Sequence, residues 1–255
     1  MVCKNCGASL RSDFKYCPNC GAKIIRNRLT LKNIWQDLSF QVFNLDNTFL
    51  KTFRHLFTKP EFVIESFISG TRKKYMNPIS YFAIAITLSG ILFFVLRNVY
   101  EIKLTQTTSI NPNAPDLDFI FDYQGLMSYL FMPVYASITW ILFLDKGKMN
   151  YTEHLIANAY VTGQTSFVQV ILCLPLFGFF DIPYDIFNWI YLFFMTVYLF
   201  FVFGRIHKIG VFNTMVRALG YSVLFAVVMI GIGIVMASLF FITGQLNVED
   251  FVPKK

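Results

Sequence analysis

From residue 79 onward the chain is a succession of long apolar runs separated by short polar segments. Five of them approach the roughly 20 residues a helix needs to cross a hydrocarbon core of about 30 Å. They are Ile79 to Leu96, Gly125 to Leu144, Leu155 to Phe180, Phe187 to Gly204 and Ala218 to Thr243. None places an Asp, Glu, Lys, Arg or His in its central turns. Pro175 and Gly178 are expected to kink the third run or end it early.

Ahead of residue 79 the apolar positions change to a helical period. From Thr30, a candidate N-cap, Leu31, Ile34, Trp35, Leu38, Val42 and Leu45 fall on one face. After Asp46-Asn47, a second run sets Phe49, Leu50, Phe53, Leu56 and Phe57 against Lys51, Arg54, His55 and Lys59, and Pro60 stops it. A third short run, Glu61 to Ser69, is closed by Gly70. These segments are too short to span. Their faces fit either the membrane interface, aromatics down and cations up, or the cytoplasmic ends of the spans. Arg72, Lys73 and Lys74 follow just before the first span. Three such cations attract anionic lipid head groups at about 1 kcal/mol each, or serve only to set topology.

The N-terminus carries different chemistry. Cys3-Lys4-Asn5-Cys6-Gly7 is followed ten residues later by Cys17-Pro18-Asn19-Cys20-Gly21. Two Cys-x-x-Cys turns present four thiolates, Cys3, Cys6, Cys17 and Cys20, to one structural Zn²⁺ at about 2.3 Å. Gly7 and Gly21 allow each turn a positive φ. Asp13 to Tyr16 is the expected strand between the turns. Disulfides or a redox pair are the weaker reading, because a cytoplasmic site disfavours the first and no thioredoxin-like pattern supports the second. With four protein ligands the metal keeps no open position, so its role is to hold the fold. Cys173, inside the third run, reads as a small core residue.

Composition sharpens the class. Of 255 residues 55% are hydrophobic and 15% charged, which excludes a soluble enzyme, a disordered chain and a disulfide-rich secreted module. The net charge is +7, and thirteen of the 22 Lys and Arg precede Pro78. Adding Lys146, Lys148, Arg205, Lys208 and Arg217 places 18 cations on one side of a five-span layout. The other side collects Glu101, Asp116, Asp118, Asp122, Asp181, Asp185, Glu249 and Asp250. The positive-inside rule then sets the N-terminus in the cytoplasm and the C-terminus outside. No apolar leader precedes the cysteines, so the first span is expected to direct insertion. The ribbon itself offers only Lys4, Arg11, Lys15 and Lys23, thin for a phosphate footprint. A protein partner, or the chain's own cytoplasmic face, suits it better than nucleic acid.

The third span is the most polar. His154, Asn158, Thr162, Thr165 and Gln169 form one stripe, which reads either as a polar groove for a lipid head group or small solute, or as interhelical hydrogen bonding. Ser222, Ala226, Gly233 and Ala237 make a small-residue face on the fifth, fit for close packing within the bundle or in a homo-oligomer. An enzyme has one place to sit, the rim where Glu153 and His154 meet Arg205 and His207. Glu153 and His154 are adjacent and point apart on a helix, and no complete motif surrounds them.

Thr48-Phe49, Phe57, Lys59-Pro60, Gly70-x-Arg72-Lys73-x-Tyr75-x-Asn77-Pro78 and Tyr81-Phe82 together resemble the bacterial membrane family labelled domain of unknown function 3667, whose members commonly begin with a paired-cysteine ribbon. The resemblance covers about residues 1–100. It implies an integral membrane protein and brings no established activity. The layout of spans also resembles Yip1-like proteins by topology. The expected architecture is an all-α polytopic membrane protein: a four-cysteine zinc ribbon (1–25), amphipathic interfacial helices (26–78) and five transmembrane helices (79–255). The expected role is a scaffold, sensor or membrane-organising protein of the bacterial cytoplasmic membrane, in contact with anionic lipid. A lipid or small-solute channel or carrier, and then an enzyme acting on lipid phosphates, are the alternatives.

Overall fold

The computed structural model describes residues 2–3, 5–21, 48–71, 73–102, 124–180 and 184–242. It divides into two compact units, Met1–Asp46 and Asn47–Lys255. The helix expected over residues 31–45 lies outside the described residues.

In the first unit two matching turns carry the cysteines. Gly7 N–H donates to Cys3 O and Gly21 N–H to Cys17 O, each at 2.9 Å. Both glycines take positive φ, 73° and 70°, where a Cβ would crowd the backbone. The strand expected at Asp13 to Tyr16 does not form. Residues 12–15 run through a turn and a bend, Tyr16 is an isolated bridge residue, and Val2 pairs antiparallel with Ser9. With so short a loop between the two turns, the sulfurs rather than a sheet organise the unit.

The second unit is helical among the described residues: α1 over 48–58, α2 Pro60–Ile68, α3 Pro78–Asn98, α4 Gln124–Leu142, α5 Tyr151–Phe179, α6 Tyr184–His207 and α7 Val211–Ile242. Local chemistry sets several boundaries. Pro60 and Pro78 open α2 and α3, where a missing N–H costs nothing. Asn77 accepts from Ile79 N–H, and Asn150 forms a reciprocal capping box with Glu153 at the start of α5. Gly70, at φ 96°, follows α2 and turns the chain back. Helix α5 continues through Pro175 to Phe179.

Among the described residues four helices are long and apolar enough to cross a membrane: Pro78–Asn98, Tyr151–Phe179, Ile186–His207 and Val211–Val235. This corrects the expected count of five. The second expected span is present as α4, but its apolar part, Leu126–Leu142, has 17 residues. At 1.5 Å per residue it is about 26 Å long, short of a core of about 30 Å. It ends before Leu144 because the chain enters a 3₁₀ turn, Leu144–Lys146, closed by Gly147 in the left-handed region.

Helices α3 and α5 run side by side in the same direction. Near one end Tyr81 packs on Gly163, and further along Leu92, Phe93 and Leu96 share a cluster with Cys173. The apolar faces of α1 and α2 turn onto this bundle: Leu56, Val63, Ile64 and Phe67 are buried in one core with Tyr81, Tyr160 and Phe203. Leu50, Phe57 and Phe62 remain exposed on the outer faces. The link into α3 is pinned at Met76, whose N–H donates to Thr52 Oγ1 at 2.9 Å and whose carbonyl accepts from Tyr160 at 2.6 Å.

Candidate functional site

The four expected ligands come together. The sulfurs of Cys3, Cys6, Cys17 and Cys20 all lie within 4.8 Å of one another. Cys3 to Cys20 and Cys6 to Cys17 are each 3.7 Å apart. A tetrahedral metal with bonds of about 2.3 Å to sulfur separates its ligands by about 3.8 Å. The separations therefore fit a tetrahedral metal centre, and the cysteines are not joined as disulfides. The backbone favours thiolate at one corner: the amides of Cys6 and Asn5 hydrogen-bond the Cys3 sulfur and hold its thiol below the ordinary value. Ala8 N–H does the same for Cys6, yet Cys20, burial and the other two thiols push Cys6 up to about 11. Four thiolates this close repel one another, and a divalent cation removes that repulsion.

In the bundle the polar stripe divides. All five residues are buried. His154 Nδ1 and Asn158 Nδ2 both meet Thr139 Oγ1 of α4, at 3.2 and 2.8 Å, so this half bonds one helix to its neighbour. Thr165 Oγ1 donates to Val161 O or Thr162 O within α5. Thr165 also lines a groove between α5 and α6. That groove, of about 590 Å³, extends past Val168, Leu172 and Leu176 on one wall and past Tyr198, Ile190 and Ile186 on the other. Its lining is apolar apart from Gln164, Thr165, Tyr191 and Tyr198.

The rim expected to gather Glu153, His154, Arg205 and His207 comes apart into structural contacts. Glu153 completes the helix cap, and Arg205 makes paired hydrogen bonds to Glu61 of α2 at 2.6 and 3.2 Å. His154 and His207 do meet, 6.0 Å between ring centroids, in a stack with Phe143 and Phe203. On the last helix Ser222, Ala226 and Gly233 are exposed, and a Cβ on Gly233 would touch nothing within 4 Å, so these three are not packed inside the bundle; the side chain of Ala237 lies outside the described residues.

Of the basic juxtamembrane triplet, Arg72 lies outside the described residues and Lys73 and Lys74 are exposed. The structure joins this segment to α1. His55 Nδ1 is 2.8 Å from Tyr75 Oη, and Lys51 and Lys74 sit 5.7 and 5.5 Å from the Tyr75 ring centre. Burial, then the charges of Lys51, Lys59, Arg54 and Lys74, hold the His55 imidazolium below its ordinary range. Cations separated by more than twenty residues thus share one patch.

Sequence reasoning passed over Gln164. It is fully buried, accepts from Tyr81 Oη of α3 and donates to Phe53 O of α1 at 3.2 Å, linking three elements. Its signal was a polar residue beside the stripe, at the position preceding Thr165. Thr139 was missed in the same way.

Against known proteins, the family described as protein of unknown function (DUF3667) matches residues 46–90, which hold α1, α2 and the first half of α3. A zinc-ribbon domain matches residues 2–24. No curated protein and no solved structure matches the chain. The chain is a membrane protein with an N-terminal zinc ribbon.

Proposed function

We propose that this protein is a docking scaffold of the bacterial cytoplasmic membrane. Its ribbon holds structural Zn²⁺ and binds a protein partner on the cytoplasmic side. The observation that carries the reading is the closed cage of four sulfurs within 4.8 Å, which leaves a bound Zn²⁺ no position for a water or substrate. Such a site stabilises a small surface for recognition. Because α3 and α5 run in the same direction, the chain between them, α4 included, has to return to the side from which α3 starts, and with that return counted the cation bias supports an N-terminus inside and a C-terminus outside. Purified full-length protein should contain one zinc per chain by elemental analysis, and Cys17→Ser with Cys20→Ser should bring it near zero. Unchanged zinc would refute the ligand set. Cross-linked complexes should form with the full chain and be lost on deletion of residues 1–25; equal capture by both would count against docking. A reporter that works only outside the membrane should be active after Lys255, and its silence would reverse the topology.

A second reading, a lipid-binding bundle, draws on the groove between α5 and α6. Its apolar walls suit an acyl chain better than a hydrated solute.

A further inference from the structure

The groove and the cation patch lie at neighbouring places in the fold. One end of the groove is formed by Phe57 of α1 and Tyr198 of α6. Tyr198 Oη donates to Leu56 O at 3.0 Å, which fixes this part of α1 against α6. Arg54 is exposed one turn before Phe57, and Lys51 one turn before that, beside Tyr75. Tyr75 stands three residues ahead of Pro78, where the first membrane helix begins. The cations are therefore at the level where that helix enters the bilayer.

Length points to the occupant. The groove follows α5 from Gln164 to Leu176 and α6 from Tyr198 to Ile186. At 1.5 Å per residue each wall is about 18 Å long. One leaflet supplies about 15 Å of a hydrocarbon core of about 30 Å. A slot one leaflet deep, apolar along its walls and cationic at its mouth, matches a molecule with an acyl tail and an anionic head. A neutral lipid would fill the slot and leave the cations unmatched. A free phosphate ester would meet the cations and leave the slot unfilled.

We propose that the α5–α6 groove holds an acyl chain of an anionic phospholipid whose phosphate is held by Lys51, Arg54 and Lys74. The proposal deepens the lipid-binding reading above and rests on it. Tyr75 is the positioning residue of the head-group site: its ring lies against both lysines, and its hydroxyl meets His55. Thr165 and Gln164 line the groove as polar neighbours near its mouth.

The test uses the purified full-length chain in detergent, offered equal amounts of dioleoyl phosphatidylglycerol and dioleoyl phosphatidylcholine, with retained lipid measured by native mass spectrometry. The anionic lipid should be retained about tenfold or more over the neutral one, as three juxtamembrane cations allow. Lys51→Ala, Arg54→Ala and Lys74→Ala together should bring the ratio near one. All three side chains are exposed, so the variant keeps its core. Leu172→Trp with Ile190→Trp, at half-exposed positions of the walls, should lower retention of both lipids. Glycerol phosphate without chains should fail to displace the bound lipid. Equal retention of the two lipids, with loss of both in the groove-filled variant, would overturn the anionic head-group site and leave the lipid-binding reading standing. Undiminished retention in the groove-filled variant, or displacement by glycerol phosphate, would overturn the groove as the chain's place. A chain that retains neither lipid and instead cross-links to a second copy through Ile190→Cys would overturn both readings.

Discussion

His207 shows what a single residue contributes here beyond its type. Its ring lies 4.4 Å from Phe143 and nearly parallel to it, while both ring nitrogens are buried without a hydrogen-bond partner among the described residues. An unsatisfied buried polar group costs about 1–3 kcal/mol, so an aromatic ring without nitrogens suits this position better. His207→Phe is expected to raise the unfolding temperature of the detergent-solubilised protein by an amount equivalent to about 1 kcal/mol. His154→Phe should lower it, because Thr139 and Asn158 lose a buried partner. Equal losses in both variants would show that the His207 nitrogens are used. The same scale marks the reach of sequence reading. The clustering of Cys3, Cys6, Cys17 and Cys20 was legible because it depends on two local turns and their spacing. Gln164 was not, since its partners Tyr81 and Phe53 are 83 and 111 residues away.

Between elements, α3 and α5 pack tightly at Gly163. A Cβ there would stand 2.9 Å from Tyr81 Cδ1 and 3.4 Å from the backbone of Phe82. Tyr81 cannot retreat freely, because it is fully buried and bonded to Gln164. Gly163→Ala is expected to destabilise the bundle by about 1–3 kcal/mol, the usual cost of overpacking a core. Gly90→Ala is the control: nothing lies within 4 Å of its Cβ, and alanine is the better helix former, so thermal unfolding should be unchanged or slightly raised. A Gly163 variant as stable as the Gly90 one would mean that the two helices separate at little cost. At this scale the apolar period located every described helix of the second unit, and Pro60 and Gly70 marked the ends of the short ones. It overestimated α4, whose last residues are drawn into the 3₁₀ turn by contacts made with α7. It also left open where α1 and α2 lie, since an amphipathic face is satisfied equally by lipid and by protein.

For the molecule as a whole, charged contacts gather at one end of the bundle. Glu61 bonds Arg205, Glu65 bonds Lys148 at 2.7 Å, and Asp145 is gripped by both terminal nitrogens of Arg217 at 2.8 and 2.6 Å. Arg217 lies over the Phe143 ring and also donates to Leu142 O, so this pair ties the turn after α4 to the start of α7. Hydrogen bonds from Arg217 hold the Asp145 carboxyl down at about 2. An unfolded aspartate titrates near 3.9, so the stability from this pair is fully present above about pH 4 and is lost as pH falls towards about 2. Unfolding temperature should be flat above pH 4 and fall below it, and Arg217→Gln should flatten the fall; an identical profile in the variant would remove Asp145 as its source. Glu61 adds in the same sense: burial raises its carboxyl, and Arg205 more than offsets this to leave it below the ordinary value. Sequence alone determined the membrane class, the pairing of the four cysteines in two turns and the crowding of cations ahead of Pro78, because these follow from run length, local spacing and charge counted along the chain. The tertiary structure decided that His154 and Asn158 of the polar stripe bond α4 while Thr165 faces a groove, and that Lys51, Arg54 and Lys74 share one patch. These depend on how helices cross, and a helical period specifies the buried face without specifying the neighbour that covers it.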